Sequence, residues 1–243
     1  MTIVATDHPS DSPYIETVSD GYTLSAGSTI RPSEIHWHMV VLKHGGQTQL
    51  RVVGPWTSAG LVEWGEGGEI VWIKLKLGTY FPHLPPRKLL NNEIPLPGAA
   101  SNSFWLKGSA WQFPNHENAE TFVNRLVREE ILVQDPVIHP TLQDQPPDMS
   151  SRTLRHRFQY ATGLSQNHIR QYERAQQAAA LLEQGVSILD TVDMLDYFDQ
   201  PHLTRSLKRF VGKTPAQLYV APPSCHSVQD TQPINNYHTV ISR

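Results

Sequence analysis

Cysteine is almost missing from this 243-residue chain, which holds only Cys225. That excludes a disulfide framework and any thiolate metal cluster, and it fits a reducing, cytoplasmic setting. Long hydrophobic runs are missing too. The longest, such as Met39–Leu42, Ile70–Ile73 and Ala178–Leu182, fall far short of the ~18 residues that a bilayer span requires, so no membrane association is expected. Met1–Asp11 is polar and acidic with no apolar core behind it, so no secretory leader is expected. A strong net charge is absent as well, since the whole chain sums to -3. What remains is 39% hydrophobic and 18% charged. That is enough to fill the core of one large or two small domains, given typical domains of ~100–150 residues.

The small total hides an asymmetry. Residues 1–149 carry 10 Lys/Arg against 16 Asp/Glu, residues 150–220 carry 9 against 6, and residues 221–243 carry one of each. A basic segment beside an acidic one is the balance expected where one part meets an anionic polymer, although a chance local excess would look the same.

Periodicity divides the chain further. Residues 1–20 are polar and patternless and read as a loose arm. From Gly21 to about Leu77 the pattern is β-like: Ile35–Lys43 and Gln47–Val53 flank the short connection His44-Gly45-Gly46, and Glu69–Leu77 alternates between apolar and Lys positions. Such spacing suggests a small sandwich or barrel. Proline crowds residues 78–117, which read as mostly loop with short helical turns. A 3.6-residue stripe of Phe122, Val123, Leu126 and Val127 predicts a helix over 119–133, with Asn118 as its cap. The expected organisation is a 1–20 arm, a 21–135 β-rich domain closed by that helix, a proline-rich 136–149 connection, a helical 150–220 domain and a polar 221–243 tail. The fold class is therefore α+β.

The stretch from Ser187 to Leu218 is the most informative. Ser187 caps a short helix whose Ile188, Thr191, Val192 and Leu195 face one way, and Asp196-Tyr197-Phe198 makes a tight turn. Asp199 caps a second helix in which Pro201 is tolerated, because first-turn N–H groups have no intrahelical acceptor. Leu203, Leu207 and Phe210 form its inner stripe. Pro201, Thr204, Arg205 and Lys208 line the opposite side at i, i+3, i+4 and i+7. This is the pattern of a helix-turn-helix whose second helix fits a major groove. Arg205 is suited to guanine O6/N7, and Lys208 and Arg209 to phosphate. An ordinary helical hairpin with a solvated charged face would show the same spacing.

The segment resembles the DNA-binding domain of the AraC/XylS transcription regulators. The likeness rests on Ser187, Ile188, Tyr197, Asp199, Gln200, His202, Arg205, Lys208, Arg209, Gly212, Thr214 and Pro215, with Tyr219 at adjacent spacing. Ser150, Arg152, Leu154, Phe158, Thr162-Gly163 and Leu164-Ser165 carry it in the first half. The resemblance implies two helix-turn-helix units joined by a helix over about Gln166–Glu183, reading successive major-groove segments of double-stranded DNA. It places the base-facing residues at Arg152, Arg155 and His156 in the first unit, with Arg157 as a further phosphate-binding cation. In the second unit it places them at Gln200, Pro201, Thr204 and Arg205. Val192 and Asp196 stand where the family has Ala and Gly, and Pro201 replaces a Ser. The first scaffold helix, expected near 138–147, is bounded by Pro140 and broken by Pro146-Pro147. A truncated first unit with its recognition helix over Ser151–Tyr160 is the expectation.

Relatives in that family commonly carry a cupin-like β-barrel that binds a small-molecule effector, mediates homodimerisation, or does both. His36-Trp37-His38, with His83 further on, suggests a cupin metal site. The expected carboxylate after the second histidine is missing, since Leu42 and Lys43 stand there and the next acid is Glu63. The reading adopted is a non-enzymatic regulator with no cofactor. The alternatives are a cupin-type metalloenzyme with a fused helical domain, and an interaction module with a decayed helix-turn-helix.

Overall fold

The computed structural model describes residues 3–84, 86–145 and 147–220. Cys225, Pro146 and the expected 221–243 tail lie outside the described residues. The strands are β1 (Ile3–Pro9), β2 (Ile15–Thr23), β3 (Gly27–Arg31), β4 (His38–His44), β5 (Gln47–Val53), β6 (Gly60–Trp64), β7 (Glu69–Leu75), β8 (Thr79–Tyr80), β9 (Glu93–Pro95), β10 (Gly98–Ala99), β11 (Ser103–Leu106), β12 (Ser109–Gln112) and β13 (Val133–Gln134). The helices are α1 (Pro86–Leu89), α2 (Ala119–Arg128), α3 (Ile138–Leu142), α4 (Ser151–Thr162), α5 (Gln166–Glu183), α6 (Ile188–Met194), α7 (Gln200–Phe210) and α8 (Pro215–Leu218).

An antiparallel six-stranded sheet, ordered β1-β2-β7-β4-β5-β9, forms the platform. Its register follows from alternation. Val18 pairs with Ile73, Ile73 with Met39, and Met39 with Val52, so the apolar set of four strands lands on one face. The β4–β5 hairpin turns on Gly45 (φ 57) and Gly46 (φ 76), the two positive dihedrals that a tight two-residue turn demands. Smaller ribbons pair β3 with β6, β8 with β13, and β10-β11-β12. Among the described residues the strands do not close, so of the expected sandwich or barrel no closed barrel forms.

Further expectations are corrected. Residues 3–9 are no loose arm: β1 pairs along its whole length with β2. It is an edge strand, largely exposed on both faces, which is why alternation does not reveal it. The proline-rich 78–117 stretch contains β8 to β12, because short strands accommodate proline at their ends. The closing helix stops at Arg128 and not at 133. Glu130 turns left-handed (φ 54), and Leu126 C=O accepts the N–H of both Ile131 and Leu132, which drives those two side chains into the core. Asn118 precedes that helix, but its side chain accepts from Asn115 N–H and caps nothing.

The core crosses the expected 136–149 boundary. One continuous apolar cluster runs from Ile15, Met39, Leu50 and Ile73 through Phe104, Leu126 and Ile138 to Phe158, Ala161, Leu164 and Ile169. A second, smaller cluster joins Ala178, Ala179 and Leu182 to Val192, Tyr197, Leu203, Leu207 and Leu218. Helix α5 spans the two. Among the described residues no helix is long and apolar enough to cross a membrane.

Candidate nucleic-acid interface

The second helix-turn-helix is built from local chemistry. Ser187 Oγ accepts Asp190 N–H (3.1 Å) and Asp199 Oδ1 accepts His202 N–H (2.6 Å), starting α6 and α7. Thr214 and Gln217 complete a reciprocal capping box on α8. Each such cap stabilises its helix by about 0.5–2 kcal/mol. Between α6 and α7 the chain turns on Asp196 (φ 53), which takes the left-handed conformation that the family assigns to glycine. Tyr197 is buried beneath this turn. Its hydroxyl lies 3.1 Å from Ser206 Oγ, and Arg174 of α5 stacks 4.5 Å above its ring.

Leu203, Leu207 and Phe210 face inward on α7, while Gln200, Pro201, Arg205, Lys208 and Arg209 are exposed. Pro201 sits in the first turn, where its missing N–H costs no helical bond. The Thr204 hydroxyl donates back to Gln200 C=O (2.9 Å), so it offers its methyl group more readily than its hydrogen. Arg209 is partly turned away. Its guanidinium lies 3.4 Å from His168 Nδ1 and against the Phe210 ring, and burial together with the Arg209 charge holds the His168 pKa below its ordinary value. Among the described residues, the cations of α7 left without a partner are therefore Arg205 and Lys208.

The first unit is assembled differently. Its scaffold helix α3 has only 5 residues. Helix α4 starts on Ser150, whose Oγ accepts Thr153 N–H, and ends on Gly163 in a left-handed conformation. Arg152, Arg155 and His156 are exposed on it, and Arg155 Nε donates to Ser151 C=O (3.2 Å). Arg157, expected among the DNA-binding cations, is engaged elsewhere. Its Nε and Nη2 form a two-pronged ion pair with the nearly buried Asp135 carboxylate at 2.9 and 2.8 Å. The C-terminal end of α4 rests on the β-rich region: Tyr160 packs edge-on against Tyr80, and Gly163 lies against Pro86 and Leu90. The shortened unit is completed by borrowed apolar surface.

The β-rich region also grips the far end of α7. Ser33 donates to Phe210 C=O through both its N–H and its hydroxyl, each at 2.8 Å, and Ala59 N–H donates to Arg209 C=O at 2.6 Å. These carbonyls belong to the helix terminus, which otherwise lacks partners.

His36 and His38 converge, but on a carboxylate and a lysine. Glu34 Oε1 meets His36 Nδ1 at 2.5 Å, and Glu34 Oε2 lies 3.6 Å from His38 Nε2 and 3.1 Å from Lys74 Nζ. Burial alone would push the Glu34 carboxyl up, but its bonds and charge contacts with the two imidazoles outweigh this and hold it well below the ordinary range. Burial lowers the His38 pKa, so the lasting counter-charge is Lys74. Lys74 Nζ supplies the cation that faces this carboxylate. His83 does not join the group and packs edge-on against Phe81. The missed signal was a carboxylate preceding the H-x-H pair and not following it.

Residues 148–219 match the family model described as a helix-turn-helix domain. That segment is a DNA-binding helix-turn-helix domain. It is of the AraC type, and this supports a regulator of the AraC/XylS kind. No curated protein and no solved structure gives a match to the chain.

Proposed function

We propose that the chain is a sequence-specific transcriptional regulator that inserts α7 into the major groove of duplex DNA. In this reading α4 contacts the neighbouring groove segment, and the β-rich region senses an effector or partner and pairs two copies as a homodimer. The observation that carries the reading is the open ridge of Gln200, Pro201, Arg205 and Lys208 on a capped helix whose other side is fully packed. The helix backbone fits a groove ~12 Å wide, and Arg205 has the planar two-donor fork that matches guanine. Arg152, Arg155 and His156 add phosphate contacts from α4. Arg157 holds α4 to the segment that follows β13 through Asp135. An open cleft of about 770 Å³ between the platform and α5, lined by His36, Lys76, Asp135, His139, Tyr172 and Glu173, supports sensing at the junction of the two parts. A ligand there would alter how α5 presents the reading helices, provided that it binds the two arrangements unequally.

Selection of bound duplexes from a random library, followed by binding titrations at several salt concentrations, tests this. Arg205→Ala is expected to cost about 1–3 kcal/mol at one base position and to relax preference there. Arg155→Ala is expected to weaken all sequences alike and to reduce the salt slope by about one. Recovery of no consensus motif, or of a motif unchanged by Arg205→Ala, would refute the groove placement.

A further inference from the structure

Three polar side chains outside the reading surface meet at the edge of the platform. His8 projects from β1, Asp20 from β2, and His116 from the loop that precedes α2. His8 Nε2 lies 2.5 Å from Asp20 Oδ1, and His116 Nδ1 lies 3.9 Å from the same oxygen. The two imidazoles stack nearly parallel, with centroids 4.7 Å apart and planes 12° from each other. One ligand atom from each residue falls within 4.8 Å of the other two.

We propose that His8, Asp20 and His116 bind a divalent transition-metal ion, with Zn2+ the best fit. Two imidazoles and one carboxylate form a donor set suited to zinc and its neighbours and too rich in nitrogen for magnesium or calcium. Bonds of ~2.0–2.1 Å from a tetrahedral ion put donor atoms about 3.3 Å apart. The cluster needs His8 and Asp20 to separate slightly and His116 to close in. At least one imidazole must also tilt out of the near-parallel stack to aim its lone pair at the shared ion, a movement open to side chains that are each more than a third exposed. Without an ion, one carboxylate faces two stacked imidazoles and can pair fully with only one of them. A dication meets both imidazoles in their neutral form and the carboxylate in its charged form.

The presenting loop is already fixed. Asn115 N–H donates to Asn118 Oδ1 and Asn118 N–H to Asn115 Oδ1, each at 2.9 Å, so His116 is held in place before an ion arrives. Ser10 also bonds Glu120 at the start of α2. A bound ion would join three segments, two of them nearly a hundred residues apart, and would staple the edge strand β1 to the loop before α2. The fourth coordination position would face solvent.

The test uses the full chain, purified without an affinity tag and stripped with a chelator. Zn2+ is added by isothermal titration, and Co2+ is used to report coordination geometry by its visible spectrum. The expected result is one equivalent bound through this site, a tetrahedral cobalt signature, and a melting temperature that rises with Zn2+. His116→Ala, on an exposed loop, and Asp20→Asn, which keeps the side-chain shape, should each weaken binding by roughly 10- to 100-fold or more and abolish the thermal shift. The chain has 12 histidines, so unaltered zinc binding in both variants would put the ion elsewhere and overturn the proposal. Failure of the wild-type chain to bind zinc at micromolar concentration would overturn it equally, and neither outcome bears on DNA binding.

Discussion

Phe158→Ala is expected to destabilise the chain by about 3–5 kcal/mol and to lower the melting temperature by roughly 6–20 °C. Phe158 lies on α4, yet its packing partners belong to the cluster that begins at Ile15 and fills the underside of the platform. The six tryptophans all lie between Trp37 and Trp111, in the β-rich region, while far-UV circular dichroism near 222 nm reports mainly the helices. The two signals provide an internal check. A shared core requires tryptophan fluorescence to shift with the helical signal in Phe158→Ala, although no tryptophan is on the mutated helix. A tryptophan transition left at its wild-type temperature would show that the first helix-turn-helix folds separately.

Gly212→Ala is the second large effect, expected at about 2–3 kcal/mol, or roughly 4–12 °C in melting temperature. Gly212 follows α7 with φ 81, a conformation that costs an alanine ~1–2 kcal/mol. A Cβ there would also stand 2.4 Å from Ile30 Cγ2 and 3.0 Å from the Ala59 side chain. Relief requires β3 and the segment holding Ala59 to retreat from the helix end, where Ser33 and Ala59 hold the Phe210 and Arg209 carbonyls. Weaker DNA binding should accompany the loss of stability, because α7 would lose the contact that fixes its tilt. A variant that melts within a degree of the wild type would show that the contact is slack.

The second helix-turn-helix was legible in the sequence because its determinants are local. Ser187, Asp199 and Thr214 each cap a helix by bonding an N–H three residues on, and the inner stripe of α7 follows one period. The β4–β5 hairpin was legible for the same reason. What escaped depends on partners distant in sequence. Arg157 reads as one more cation of a basic helix until Asp135, 22 residues earlier, is placed beside it. The strand β1 alternates weakly because it is an edge exposed on both faces, and only its pairing with β2 defines it. The end of the closing helix was set by burial of Ile131 and Leu132, which outweighs the helical preference of 129–133. The scaffold helix is short, as expected, but Pro140 sits inside α3 and does not bound it. The compensation for it, apolar surface from Tyr80, Pro86 and Leu90, has no local signature.

The division of α5 between two cores bears on how such a chain can be recombined. Its first turns, through Ile169 and Tyr172, pack with the platform, and its last turns, through Ala178 and Leu182, pack with the second helix-turn-helix. A chimera cut in the proline-rich stretch before Ser150 would strand Phe158 and Leu164 without their neighbours. The workable splice lies near Ala175, midway along a continuous helix, so a transplanted β-rich region must bring the first helix-turn-helix unit with it.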